Sequence, residues 1–550
     1  MRRIALLACL LLPATAAAQA TAPFTRADTL RGSIGPGRAW WDVAFYDLHV
    51  RVSPADSSIS GRNGITYRVL HPAREMQLDL QVPLEADSMK QDGRRVQYRR
   101  DGNAFFVTLP RQRVGQLKTV TVWFHGRPRV ARNPPWDGGF AWKTDSVGNA
   151  FTATAVQGLG ASAWWPNKDT QADEPDSQRI AITVPDPMVD VSNGRLRSTT
   201  HNGDGTTTFE WFVANPINNY DVAVNAGTYA HFTDTYRGEG GVLTLDFWPL
   251  AYHLETARRQ FAQAKPMLAC FEHWFGPYPW YRDGYKLVET PHLGMEHQSA
   301  VAYGNRYQNG YLGRDLSRTG LGLQWDFIIV HESGHEWFGN NITSKDLADM
   351  WVHEGFTNYS ENLYTECQQG KEAGARYVIG TRAAVQNDEP IVAPFGVNAE
   401  GSGDMYYKAG NMLHTIRQIV GDDEKWRRIL RGLNQTFRHQ TVTGRQVTEY
   451  VSRQAGIDLS KVFEQYLTTT KIPVLEYRIQ GATLRYRWAD VVPGFAMPVK
   501  VRLSGTGWQT IRPTAAWQTA PFGLASRADF RVDENFYVIP KDLDAPPPAP

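Results

Sequence analysis

The sequence predicts an α+β multidomain protein: a large all-β region, then a mainly helical region, then a small β region. Three observations carry that prediction. The chain has 550 residues, enough for roughly three to four domains. Apolar residues alternate with period two in its first half and again near its end, the mark of half-buried strands. Between these stretches the apolar spacing changes to that of amphipathic helices.

The elements follow in chain order. Arg2 and Arg3 precede an apolar run from Ile4 to Leu12, then small residues ending at Ala18-Gln19-Ala20. That is the layout of a secretory signal peptide over residues 1–20, which predicts export, with the periplasm as the expected compartment. The formal charge is +2, and removal of residues 1–20 takes away two Arg and no acid. A neutral mature chain argues against nucleic acid or an anionic membrane as partner. No internal run approaches the ~20 apolar residues of a bilayer span, so no stable membrane insertion is expected. Of three Cys, Cys9 falls in the signal, leaving Cys270 and Cys367. Two cysteines make at most one bridge, so the fold must rest on a hydrophobic core.

Residues 36–235 are expected to form the N-terminal β domain. Asp47–Val52, Met76–Val82 and Thr119–Phe124 alternate strictly between polar and apolar. Residues 236–470 form the expected helical domain, where Met412, Leu413, Ile416, Ile419 and Val420 line one helical face. Alternation returns in Leu475/Tyr477/Ile479, Leu484/Tyr486/Trp488 and Val499/Val501/Leu503, giving a small β domain over residues 471–543. A Pro-rich tail occupies residues 544–550.

One segment concentrates the chemistry: His331-Glu332-Ser333-Gly334-His335. Two His four apart stack on one helical face, which suits two imidazoles converging on a single ion. Glu332 is turned about 100° from His331 around the helix, where a general base can reach the metal's open side without being a ligand. Composition alone yields this pattern in only about 1–2% of chains of this length. Catalytic zinc takes three protein ligands plus water, and Glu354, after an 18-residue spacer, fits the third place. Glu361 lies two turns further along the same face, placed to accept the free ring N–H of a ligating His. His353 points elsewhere and reads as structural.

On these motifs the sequence resembles the aminopeptidase N family of zinc peptidases, the gluzincins that include leukotriene hydrolase. The resemblance spans most of residues 40–475, including Asn133-Pro134-Pro135-Trp136-Asp137-Gly138-Gly139-Phe140 and Trp164-Trp165-Pro166. It implies a saddle-like N-terminal β domain, a thermolysin-like catalytic domain, and one zinc ion per chain held by His331, His335 and Glu354. The family's Gly-x-Met-Glu-Asn signature has its counterpart in Leu293-Gly294-Met295-Glu296-His297, with Leu and His departing from the pattern. Glu296 is thereby expected to bind the substrate's α-amine, beside Gly294 and Met295. Gln157, nine residues before Pro166, is expected to touch the same amine. The family's catalytic Tyr corresponds to Tyr406 in Tyr406-Tyr407-Lys408-Ala409-Gly410, with Tyr407 as the alternative because the Gly is displaced by one.

The implied activity is release of N-terminal residues from peptides with free amines. Zinc would polarise the carbonyl and acidify water, Glu332 would move the proton, and Tyr406 would stabilise the oxyanion. A zinc endopeptidase, an epoxide hydrolase like leukotriene hydrolase, and a catalytically silent exported binding module are the alternatives. Larger family members carry a long helical domain over the active site. Residues 471–543 read instead as β-structure, so a more open cleft admitting longer peptides is expected.

Overall fold

The computed structural model describes residues 24–545. The expected signal peptide over residues 1–20 lies outside the described residues, as does most of the Pro-rich tail. The N-terminal part is built on an eight-stranded sheet. Its central strand Trp41–Ser53 pairs antiparallel with Ser58–Val69 and parallel with Ser177–Pro185. Tyr46, Leu48, Val50 and Val52 point into the core, as the alternation requires. Thr119–Phe124 lies within strand Leu117–Gly126, which pairs with Ser58–Val69. A three-stranded and a four-stranded sheet complete this part, and the four-stranded one contains Ala150–Ala155, the strand leading to Gln157.

A further sheet has five strands in the order Phe232–Gly238, Gly241–Trp248, Tyr285–Glu289, Val301–Tyr303, Gly294–Met295. The expected boundary at 235/236 therefore falls inside a strand. Phe232–Gly238 pairs antiparallel with Gly241–Trp248, which continues parallel into Tyr285–Glu289, so the strand belongs with the helical half. Gly294–Met295 is the last strand of this sheet, bonded among the described residues only to Val301–Tyr303.

Helix Phe327–Gly334 packs against this sheet and against helix Trp351–Gln369, which in turn packs against helix Tyr407–Val420. Met412, Leu413 and Ile416 are buried, while Ile419 and Val420 pack at the margin. Cys270, on helix Ala264–Phe275, is bonded to Cys367 near the end of helix Trp351–Gln369. The C-terminal strands form a four-stranded and a three-stranded sheet. Leu475, Leu484, Trp488, Val499 and Val501 join the same apolar cluster as Ile416 and Tyr466. The C-terminal β module thus shares its core with the helical half. No helix among the described residues is long and apolar enough to cross a membrane.

Candidate metal centre and active-site cleft

Helix Phe327–Gly334 starts at Asp326, whose carboxylate caps the N–H groups of Ile328 and Ile329. Tyr303 and Asn305 hold that carboxylate in place. Eight residues of helix then carry His331 and Glu332 to the cleft, and His335 follows as the C-cap. The chain leaves through Gly339, whose φ of 129° favours glycine, with His335 Nδ1 only 3.2 Å from where a Cβ would sit. The ring centroids of His331 and His335 are 5.0 Å apart.

Helix Trp351–Gln369 is buried from Trp351 to Thr365 and brings Glu354 opposite both imidazoles. Glu354 Oε2 lies 3.3 Å from His335 Nε2 and 3.7 Å from His331 Nε2. One ligand atom from each of the three residues falls within 4.8 Å of the others. Glu354 Oε2 is fully enclosed and has no hydrogen-bond partner among the described residues. A buried carboxylate oxygen facing two imidazole nitrogens is an anion that a cation would satisfy. Two N donors and one O donor, with room for water beside them, fit a catalytic zinc.

The donors are held from behind. His331 Nδ1 lies 2.8 Å from Glu361 Oε1, and Glu361 also accepts from Tyr377 Oη at 2.7 Å and Asn358 Nδ2 at 3.2 Å. His335 Nδ1 faces the Phe338 carbonyl at 3.0 Å. These contacts favour protons on the Nδ1 atoms, leaving the Nε2 lone pairs turned to the centre. His353 accepts from the Ser344 N–H at 2.8 Å through Nε2, facing away from the donors.

Glu332 is buried beside the donors. Burial pushes its carboxyl up to about 7, against the pull of His331. It packs on Gly294 so closely that a Cβ there would sit 2.7 Å from Glu332 Oε1. Burial also raises the Glu296 carboxyl. Glu296 Oε1 accepts from Gln157 Nε2, and from Tyr220 Oη at 3.0 Å. Gln157 Nε2 is also 3.4 Å from Glu354 Oε1, so the amide bridges the anionic pocket and the donors. Tyr220, Tyr377 and Asn358 were not selected from the sequence. No local pattern marks them, and each reaches its carboxylate through the fold.

Tyr406 caps helix Tyr407–Val420, and its ring centroid lies 6.0 Å from that of His331. Burial raises its phenol well above the ordinary range, and the charges of Glu354 and Glu296 add to this, so it remains an O–H donor. Tyr407 also lines the cleft, but the carboxylate that acts on it is Glu361. Leu293 and Met295 line the cleft wall. His297, at the other departure from the family signature, is buried, which drives its imidazole down to about 3 and keeps it neutral.

Residues 259–466 match the Peptidase family M1 domain. The helical half thus resembles the M1 zinc peptidases. The chain is similar to "Probable aminopeptidase 1" of Sulfurisphaera tokodaii, 23% identical over 237 residues, covering 40% of this chain and 30% of that protein. It is also similar to aminopeptidase B of Rattus norvegicus, 24% identical over 365 residues, covering 61% of this chain and 52% of that protein. The chain thus spans 30% and 52% of the length of these two relatives. Among solved structures, a mutant M1 zinc metallopeptidase from Deinococcus radiodurans bound to a Tyr-Ser-Ala substrate superposes with a TM-score of 0.66. It is 22% identical, and the match covers 80% of this chain and 96% of that one. The architecture of β region, helical zinc-peptidase-like half and C-terminal sheets is therefore a known fold.

Proposed function

We propose that this chain is a zinc-dependent aminopeptidase that removes N-terminal residues from peptides. The observation that carries the reading is Glu296, a buried carboxylate fed by Gln157 and Tyr220 and adjoining the metal donors. A buried anion beside a hydrolytic centre is matched by an ammonium, which peptides with free N-termini supply. An endopeptidase has no use for such a group. A zinc ion bound by His331, His335 and Glu354 supplies Lewis acidity to the first peptide carbonyl and to the attacking water.

The remaining work falls to the chain. Glu332, with its carboxyl held near neutrality, accepts the water's proton and passes it to the leaving amine. Tyr406, held protonated on the His331 side of the cleft, donates to the oxyanion. Glu296, Gln157 and Tyr220 fix the amine, so that the first peptide bond alone reaches the reacting groups. Glu361 keeps His331 in the tautomer that ligates. Export to an oxidising compartment, with the periplasm as the proposed location, accords with the Cys270–Cys367 bond.

The test compares hydrolysis of amino-acid anilides, free and N-acetylated, before and after chelation and after return of zinc. Zinc-restored turnover confined to free amines is expected. Cleavage of blocked substrates would make the protein an endopeptidase, and zinc retention without turnover would leave a silent binding module.

A further inference from the structure

The cleft at the metal centre, about 530 Å³, does not end there. Trp136, Leu293, Tyr311 and Arg314 also wall a second hollow of about 770 Å³. The two form one groove, and its direction relative to the chemistry can be read from the edge strand. Gly294–Met295 is bonded on one side only, so its free edge can pair with an extended peptide. A peptide whose amine sits at Glu296 then runs past Gly294 and Leu293 into the second hollow. Each residue advances about 3.3 Å, which puts the second and third residues beyond the cut roughly 7–10 Å along.

That part of the groove is cationic. Arg318 lines the first chamber, Arg314 both, and Arg306 the second, and all three are exposed. The acids nearby are already engaged. Glu289 accepts from the Leu250 N–H and Tyr307 Oη and faces His253, while Asp315 accepts from Ser317 and the Gly320 N–H. The three guanidiniums are thus left without an ion-pair partner among the described residues. Two of them stand on unfavourable backbone: Arg306 has φ 55° and Arg318 φ 60°, where glycine is the cheaper choice. Strain retained beside a cleft is the kind that function explains.

We infer that Arg306, Arg314 and Arg318 form a carboxylate-recognition stretch on the leaving-group side, selecting peptides that carry an anionic group within about three residues of the cut. The inference rests on the aminopeptidase reading. Arg forks suit carboxylates, and the anion is either the C-terminal carboxylate of a short peptide or an acidic side chain of a longer one.

The experiment measures kcat/KM for one leucyl tripeptide series: the free acid, its amide, and amides with Glu or Gln at the third position. The unmutated enzyme is expected to favour free acid over amide, or Glu over Gln, by roughly three- to tenfold, and the arm that responds names the source of the carboxylate. The preference is expected to fall towards one in about 1 M salt, where charges are screened beyond about 3 Å. It is expected to fall likewise in Arg306→Gly, Arg314→Gln and Arg318→Gly, singly in part and together in full. Glycine at the two positive-φ positions relieves the backbone, so melting temperatures at or above the parent's separate recognition from folding. Brisk cleavage of all four peptides without preference, or a preference surviving in the triple variant, overturns this inference alone. No cleavage of any peptide by the unmutated enzyme overturns the aminopeptidase reading and this inference with it.

Discussion

Tyr220→Phe isolates the part of the amine pocket that sequence reasoning did not find. Tyr220 is buried on the turn Asn219–Asp221, and its hydroxyl donates to Glu296 Oε1 at 3.0 Å. Phe keeps the ring and its packing and removes only the donor. A hydrogen bond to a charged group contributes about 1.5–3 kcal/mol, and each 1.4 kcal/mol is tenfold in an equilibrium. The full range is therefore roughly ten- to a hundredfold. Water in the cleft can take the vacated place on Glu296 Oε1, which favours the lower end, about tenfold. Gln157 Nε2 remains on the same oxygen and limits the loss further. The effect is expected in kcat/KM for leucine anilide, with the melting temperature unchanged, because no buried charge is orphaned. A variant within about twofold of the parent, with zinc content intact, would show that Tyr220 is a packing residue and that Glu296 does not depend on it.

Other outcomes follow from the same geometry. Glu332→Gln is expected to lower kcat by about 10²–10⁴ while zinc content, read by atomic absorption, stays at one per chain. Gly294→Ala puts a Cβ 2.7 Å from Glu332 Oε1 and displaces the base; a loss of roughly ten- to a hundredfold in kcat with little change in stability checks it. The Cys270–Cys367 bond closes a separation of 97 residues, so replacing both by Ala is expected to cost about 2–4 kcal/mol, seen as a lower melting temperature that reductant no longer affects. Asp190 is buried, and burial holds its carboxyl well above the usual range. The folded state keeps a proton that the unfolded state loses above about 4, so stability falls by about 1.4 kcal/mol per pH unit from there up to the raised pKa. Asp190→Asn is expected to remove that slope, with denaturation at pH 5 and pH 8 as the measurement; equal slopes in both proteins would refute it.

His331 and His335 were legible as candidate metal donors because their geometry is local. A four-residue spacing stacks two side chains whatever the helix packs against, and the spacing from Glu354 to Glu361 obeys the same rule. The alternating strands were legible for a similar reason, since period two sorts side chains to two faces before any partner is chosen. Assignment of strand Phe232–Gly238 was not legible. Its alternation reads alike in either sheet, and its place beside Gly241–Trp248 depends on pairing that continues to Tyr285, some 50 residues on. The surroundings of Tyr406 and Tyr407 were not legible either: the fold sets the first beside Glu354 and the second beside Glu361.

The sequence by itself determined the order of β, helical and β regions, and put forward His331, His335 and Glu354 as candidate donors, Glu332 as candidate base and, through the resemblance, Glu296 and Gln157 as candidate amine contacts. Only the tertiary structure decided that Tyr220, 76 residues from Glu296, donates to its carboxylate, that Cys270 meets Cys367, and that the C-terminal strands share the core of the helical half. It also decided that three exposed arginines lie along one groove. The division has a physical cause. Periodicity and motif spacing are properties of a few consecutive residues, whereas these contacts join distant segments that are brought together by burial of the surfaces between them, which no local pattern encodes.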